Sequence, residues 1–194
     1  MTATAAITDA PDPAWCAALR AELAAAPRGR HDPRREPEDE EGARTTVRAS
    51  CRGHIVLVED DTELREVLAS VLRTYGYDVT EYGGGQDAIK AMSDDYTKAS
   101  ASGQNRLLPD CIVFDLMMPA GDGAWLWGML GVSERFRSVP RLAMSNDDRL
   151  DEFVRWATQR PELGKVPGTL AKPFDGRAFV ERVEIQIAEG RGAE

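Results

Sequence analysis

The chain has 194 residues, enough for one ordinary domain and an appendage, and 42% of them are hydrophobic, enough for a packed core. Its formal net charge of -9 speaks against a nucleic-acid-binding face, which needs a basic patch to meet phosphates. No apolar run reaches membrane-spanning length, and the first residues carry neither the basic nor the apolar segment of a secretory signal. Cys16, Cys51 and Cys111 have no metal-ligand spacing and leave one over from any pairing, so a reduced, cytoplasmic setting is the simplest expectation.

Residues 1–53 are rich in Ala, Pro, Arg and acids and read as a largely disordered extension. Within it a short helix over 13–26 has its punctuation: Asp12 as cap, Pro13 in the first turn and Pro27 as stop. Trp15, Leu19 and Leu23 set a narrow apolar stripe on it. Two readings stand: a marginal helix on a disordered arm, or a helix that docks on a partner or on the chain itself. His31 lies alone in the charged stretch that follows and reads as solvated.

From His54 the pattern alternates strand and helix. HIVLV (54–58) is a short continuous apolar run, as a strand buried on both faces requires. Asp61 or Thr62 then caps a helix whose Leu64, Val67, Leu68, Val71 and Leu72 share one face, with Gly76 at its end. YDVTEY (77–82) reads as the second strand, 84–92 as a short helix and 93–106 as a polar loop. CIVF (111–114) is another buried strand, followed by a helix near 124–130. Trp125 and Trp127, two apart on that helix, cannot both face the core. RLAM (141–144) is the fourth strand, and Leu150, Phe153, Val154 and Ala157 set the apolar face of the next helix. Trp156 lies off that stripe: either an exposed anchor for a partner or a ring packed under the 93–106 loop or the N-terminal arm. GTLA (168–171) is the fifth strand, and Asp175 caps a last helix with Phe179, Val183 and Ile187 inward and Gly190 at its end. Five strands alternating with five helices imply an α/β fold, a doubly wound parallel sheet with helices on both faces, over residues 54–190, with 191–194 as a tail.

In such a sheet ligands bind beyond the carboxyl ends of the strands. Glu59, Asp60 and Asp61 follow the first strand, Asp115 the third, Ser145 the fourth, and Lys172 and Pro173 the fifth. Alone, each of these is an ordinary cap or surface residue; together they deliver acids, a hydroxyl and an ammonium to one rim. Several carboxylates in one crevice demand a cation, and oxygen-only ligands favour a hard one such as Mg2+. Asp60 and Asp115 suit direct ligation, with Glu59 acting through water. A carboxylate can also serve as a nucleophile and form an aspartyl phosphate, with metal, Lys172 and the Ser145 hydroxyl supplying positioning and charge neutralisation.

VEDD (58–61), FDLMMPAGDG (114–123), LAMSND (142–147) and AKPF (171–174) resemble the signature segments of bacterial response-regulator receiver domains. The resemblance covers about residues 54–190 and implies a flavodoxin-like sheet in the order 2-1-3-4-5. It implies that Asp115 is the phosphoacceptor, that Glu59, Asp60 and Asp115 with the Met117 carbonyl hold Mg2+ or Mn2+, and that Ser145 and Lys172 bind the phosphoryl group. Pro173 corresponds to a cis-peptide position, and Gly123 to a turn where a missing Cβ permits unusual backbone angles. Met117 and Asp147 flank the water path and would tune hydrolysis. Thr169 stands at the switch position where many members carry an aromatic ring, and Asn146 where a small residue is commoner. The 93–106 and 156–168 segments are longer than usual.

The resemblance implies two-component signalling: a histidine kinase or histidine phosphotransfer protein as donor, an unidentified downstream protein as target, and neither nucleic acid nor membrane as partner. With no output module after the last helix, the chain reads as a stand-alone receiver and a phosphoacceptor rather than an enzyme. An aspartyl-phosphate phosphatase of the haloacid-dehalogenase type would need a second Asp two residues after the nucleophile, where this chain has Met117. A phosphorylation-independent interaction module with the same fold is the remaining alternative.

Overall fold

The computed structural model describes residues 17–21, 51–101, 108–118 and 123–191. Five strands, β1 (His54–Val58), β2 (Asp78–Tyr82), β3 (Cys111–Asp115), β4 (Arg141–Ser145) and β5 (Gly168–Ala171), form one parallel sheet in the order β2-β1-β3-β4-β5. Between and after them run α1 (Thr62–Thr74), α2 (Gly85–Ala101), α3 (Gly123–Val132), α4 (Asp147–Thr158) and α5 (Gly176–Arg191). The doubly wound sheet and its order are as the residues and the resemblance imply. Among the described residues no helix is long and apolar enough to cross a membrane.

Side-chain alternation along the strands sorts the core into two layers. Ile55, Leu57, Cys111, Val113, Leu142 and Met144 face α1 and α5. Val56, Val58, Ile112, Phe114 and Ala143 face α2, α3 and α4. Every residue of β3 and β4 is buried, because helices cover both faces of these inner strands. Register brings the strand ends level, pairing Asp115 with Met144 and Ser145 with Ala171. Asp61 caps α1 through a 2.7 Å bond from the Leu64 N–H. Gly76, at φ +89°, takes the left-handed turn after α1 that a side chain would strain. Asp175 caps α5 by accepting from the Ala178 N–H at 2.6 Å.

Three expectations need correction. The helix read over 84–92 continues to Ala101, so most of the expected polar loop is helical. Its last turns lack an apolar stripe; the Thr97 hydroxyl donates to Ser93 O at 2.8 Å, and the Arg135 guanidinium, from beyond α3, lies on the Tyr96 ring. α5 runs through Gly190 to Arg191 instead of ending at the glycine. Gly123 has no left-handed angle; glycine is required there because a Cβ would collide with the Asp115 carbonyl and the Phe114 ring. Trp156 is neither fully buried nor fully exposed. It packs partly buried with Trp127 and Phe153, ring centroids 5.4 and 5.9 Å away, and carries the Arg160 guanidinium 4.3 Å above its ring. Of the tryptophan pair, Trp127 is fully buried and Trp125 exposed.

The N-terminal arm also makes contact. Residues 17–21 are helical, Leu19 is 1% exposed within the α1–α5 core layer, and Arg20 pairs with Glu63 of α1 at 2.5 Å. Docking on the chain itself is therefore the reading that holds for this stretch. Trp15, Leu23 and His31 lie outside the described residues. Truncating a buried leucine removes transfer free energy and leaves a cavity. Leu19→Ala is expected to destabilise the chain by about 2–5 kcal/mol in urea unfolding; an unchanged midpoint would deny the arm any part in the core.

Candidate functional site

The sheet's carboxyl edge assembles the site. β1 ends at Val58, and the next residue still belongs to the ladder: the Glu59 N–H donates to Tyr82 O at 3.1 Å, which turns its side chain inward. Asp115 is the last residue of β3, and the Leu116 N–H continues the ladder to Met144 O at 2.9 Å. The Lys172 N–H bonds Ser145 O at 2.8 Å, so β5 delivers its lysine beside the end of β4. The Lys172–Pro173 peptide is cis, and Phe174 drops into the core against Phe179, ring centroids 5.5 Å apart. That anchor holds the loop from which Lys172 turns back across the rim.

The side chains converge. Lys172 Nζ lies 2.5 Å from Asp115 Oδ2 and 3.1 Å from Glu59 Oε2, with its own side chain only 12% exposed. Carboxylate oxygens of Glu59, Asp60 and Asp115 lie within 4.8 Å of one another. Asp115 Oδ1 accepts from the Met117 N–H at 3.1 Å, which fixes the carboxylate plane. Ser145 Oγ is buried and has no hydrogen-bond partner among the described residues. An orphaned buried hydroxyl costs desolvation without return unless a group arrives to meet it.

Electrostatics follow from burial and like charge. Burial pushes the Glu59 carboxyl up to about 8, and the neighbouring Asp115 adds to the rise against the opposing pull of Lys172. Burial also raises Asp60, which is less buried. Lys172 is pulled down by its own burial, but Glu59 and Asp115 outweigh this and hold its pKa above the ordinary value. Three carboxylates against one ammonium leave a formal double negative charge, which a divalent cation would match. The donors are all oxygen, the set that suits Mg2+ or Mn2+.

The structure thus brings together Glu59, Asp60, Asp115, Ser145 and Lys172, with Met117 adjacent. It does not bring in Thr169, which pairs with Ala143 inside the sheet, or Trp156, which belongs to the aromatic cluster between α3 and α4. The Asp147 side chain lies outside the described residues. One residue at the site has no place in the sequence reading. Arg65 of α1 donates to Glu59 O at 2.6 Å and Asp60 O at 3.4 Å. The one available signal was its position in the first turn, from which a helical side chain reaches back toward the N-terminus.

A profile of the response regulator receiver domain matches residues 55–184. The chain is 32% identical over 135 residues to the alkaline phosphatase synthesis transcriptional regulatory protein SphR of Synechococcus elongatus, covering 69% of this chain and 48% of that one. It is 35% identical over 139 residues to the DNA-binding response regulator MtrA of Mycobacterium tuberculosis, covering 71% and 52%. The chain therefore spans about half the length of these curated relatives. Among solved structures, it is similar to the receiver domain of the sensor histidine kinase PA1611 from Pseudomonas aeruginosa, described with a magnesium ion coordinated in the active site cleft. That match has a TM-score of 0.52 and 25% identity and covers 70% of this chain and 98% of the other.

The raised Glu59 pKa has a signed consequence. Glu59 ionises near 4.5 when unfolded and near 8 when folded, so its stabilising contribution is whole below about 4.5 and is lost as pH rises through about 8. The melting temperature of the metal-free chain is expected to decline across that window, and Glu59→Gln to flatten the slope. A melting temperature that climbs across the window in the parent would contradict the assignment.

Proposed function

Because the chain belongs to the response regulator receiver domain family, we propose that Asp115 accepts a phosphoryl group from a phosphohistidine on a histidine kinase or histidine phosphotransfer protein. The observation that carries this reading is the Asp115 carboxylate, fixed at one oxygen by the Met117 N–H and at the other by Lys172, inside a ring of acids. In the transfer an Asp115 oxygen attacks phosphorus, the phosphorus–nitrogen bond breaks, and the imidazole leaves with its electron pair and takes a proton. Asp60 and Asp115, with the Met117 carbonyl, are the direct ligands proposed for Mg2+ or Mn2+, and Glu59 acts through water. The bound cation would neutralise charge on the transferring group. Lys172 would then exchange its bond to the free carboxylate for one to a phosphoryl oxygen. The Ser145 hydroxyl, which has no partner among the described residues, would donate to another.

The protein is on this reading a phosphoacceptor, not an enzyme with a separate substrate. Its signal is a change in protein contacts: the new Ser145 bond differs between the two states and so biases the balance between them. Thr169, two residues before Ala171 on β5, offers no ring to rotate, so the switch rests on Ser145 and the β4–α4 turn. Met117 and Asp147, beside the acceptor and the hydroxyl in sequence, are assigned to tuning hydrolysis. The half-buried Trp156 edge is assigned to the partner face, and the setting is cytoplasmic.

Incubating the full chain with acetyl phosphate and Mg2+ tests the reading. The parent is expected to gain the mass of one phosphoryl group and Asp115→Asn none. A parent with no gain would favour the phosphorylation-independent module. Ser145→Ala is expected to accept the group yet show a weaker change in hydrogen exchange over β4, α4 and β5; a response equal to the parent's would remove Ser145 from the switch.

A further inference from the structure

We propose that Arg65 is a positioning residue for the acid pocket: its guanidinium, bonded to the Glu59 and Asp60 carbonyls and the Thr62 hydroxyl, fixes the turn from β1 into α1 so that the Glu59 and Asp60 carboxylates face Asp115. The inference rests on reading that pocket as a divalent-cation site.

The need for such a residue comes from the sheet edge. The Glu59 N–H is held by Tyr82 O, but β1 and β2 both stop there, and the chain must pass from a strand into α1 within three residues. The Arg65 guanidinium bonds three of residues 59–62. Its Nη1 donates to Glu59 O at 2.6 Å and, more weakly, to Asp60 O at 3.4 Å. Nη2 donates to Thr62 Oγ1 at 3.2 Å, and the Arg65 main-chain N–H makes the ordinary helix bond to Asp61 O at 2.9 Å. The guanidinium also lies against the turn after β2, where a Cβ on Gly83 would stand 3.6 Å from Nη1. A planar fork can reach a carbonyl and a hydroxyl at once, which a lysine ammonium on a flexible stem does less well.

The groups that Arg65 bonds here are carbonyls and a hydroxyl, so its charge is not spent on the carboxylates it positions. This separates two roles by sign. A cation this close to the acids opposes a second cation by charge alone, so removing it should tighten metal binding. If Arg65 instead sets the ligand geometry, removing it should weaken metal binding despite the charge relief. Groups that orient metal ligands typically change affinity by about 10–100-fold when lost.

The experiment is titration calorimetry of the metal-free full chain with MgCl2 and with MnCl2, for the parent, Arg65→Gln and Thr62→Val. Gln keeps one neutral donor and removes the charge. Thr62→Val removes the hydroxyl that orients the guanidinium and leaves every charge in place. Arg65→Gln is expected to raise the dissociation constant roughly tenfold, and Thr62→Val to raise it by a smaller factor. Hydrogen exchange of the 59–62 amides is expected to rise in both. If Arg65→Gln does not fold, Thr62→Val decides alone. Variants that bind as tightly as the parent, or more tightly, overturn the inference and leave the cation site standing. A parent that binds neither ion removes the cation reading and the inference together.

Discussion

Three carboxylates meet one ammonium in a crevice closed on most sides by protein, and the rest of the structure is arranged around that imbalance. Like charges at this separation do not share a poorly solvated space without compensation. Lys172 supplies part of it directly, to Asp115 and Glu59. Burial, with the Asp115 charge adding to it, pushes the Glu59 carboxyl well above the usual carboxylate range. Asp115 is oriented by Lys172 at one oxygen and by the Met117 N–H at the other. Such an all-oxygen donor set suits a divalent cation.

The backbone contributes as much as the side chains. A parallel sheet puts the ends of its strands on one edge, so residues far apart in sequence meet without a dedicated loop to carry each. Glu59 and Lys172 sit 113 positions apart and touch because β1 and β5 end at the same rim. Gly123 lets α3 begin directly on the Asp115 carbonyl, and Phe174 nails the lysine loop to the core. Asp115 is thereby held both by packing and by hydrogen bonds.

Much of this was legible in the residues. HIVLV, CIVF and RLAM announce strands because a strand buried on both faces needs no polar alternation, and the acid, hydroxyl and lysine directly after them announce the rim. What escaped has identifiable causes. The second half of α2 is stabilised by side-chain bonds and one cation–aromatic contact, not by an apolar stripe, so periodicity is silent there. Trp156 sits off the Leu150–Phe153 stripe yet finds Trp127 because α3 presents a second apolar face to it. Gly123 was assigned a backbone-angle role when its role is room, a distinction that only the approach of another segment reveals. Arg65 bonds main-chain carbonyls, and carbonyls carry no residue identity for a sequence pattern to expose.

The buried Leu19 bears on where this protein begins as a folded object. The stretch that matches the family starts at residue 55, yet a side chain well upstream fills part of the layer between α1 and α5. The evolutionary module and the cooperative unit therefore have different edges. A fragment cut at the module's edge would lose Leu19 from the core layer, and its behaviour would not stand for that of the longer chain.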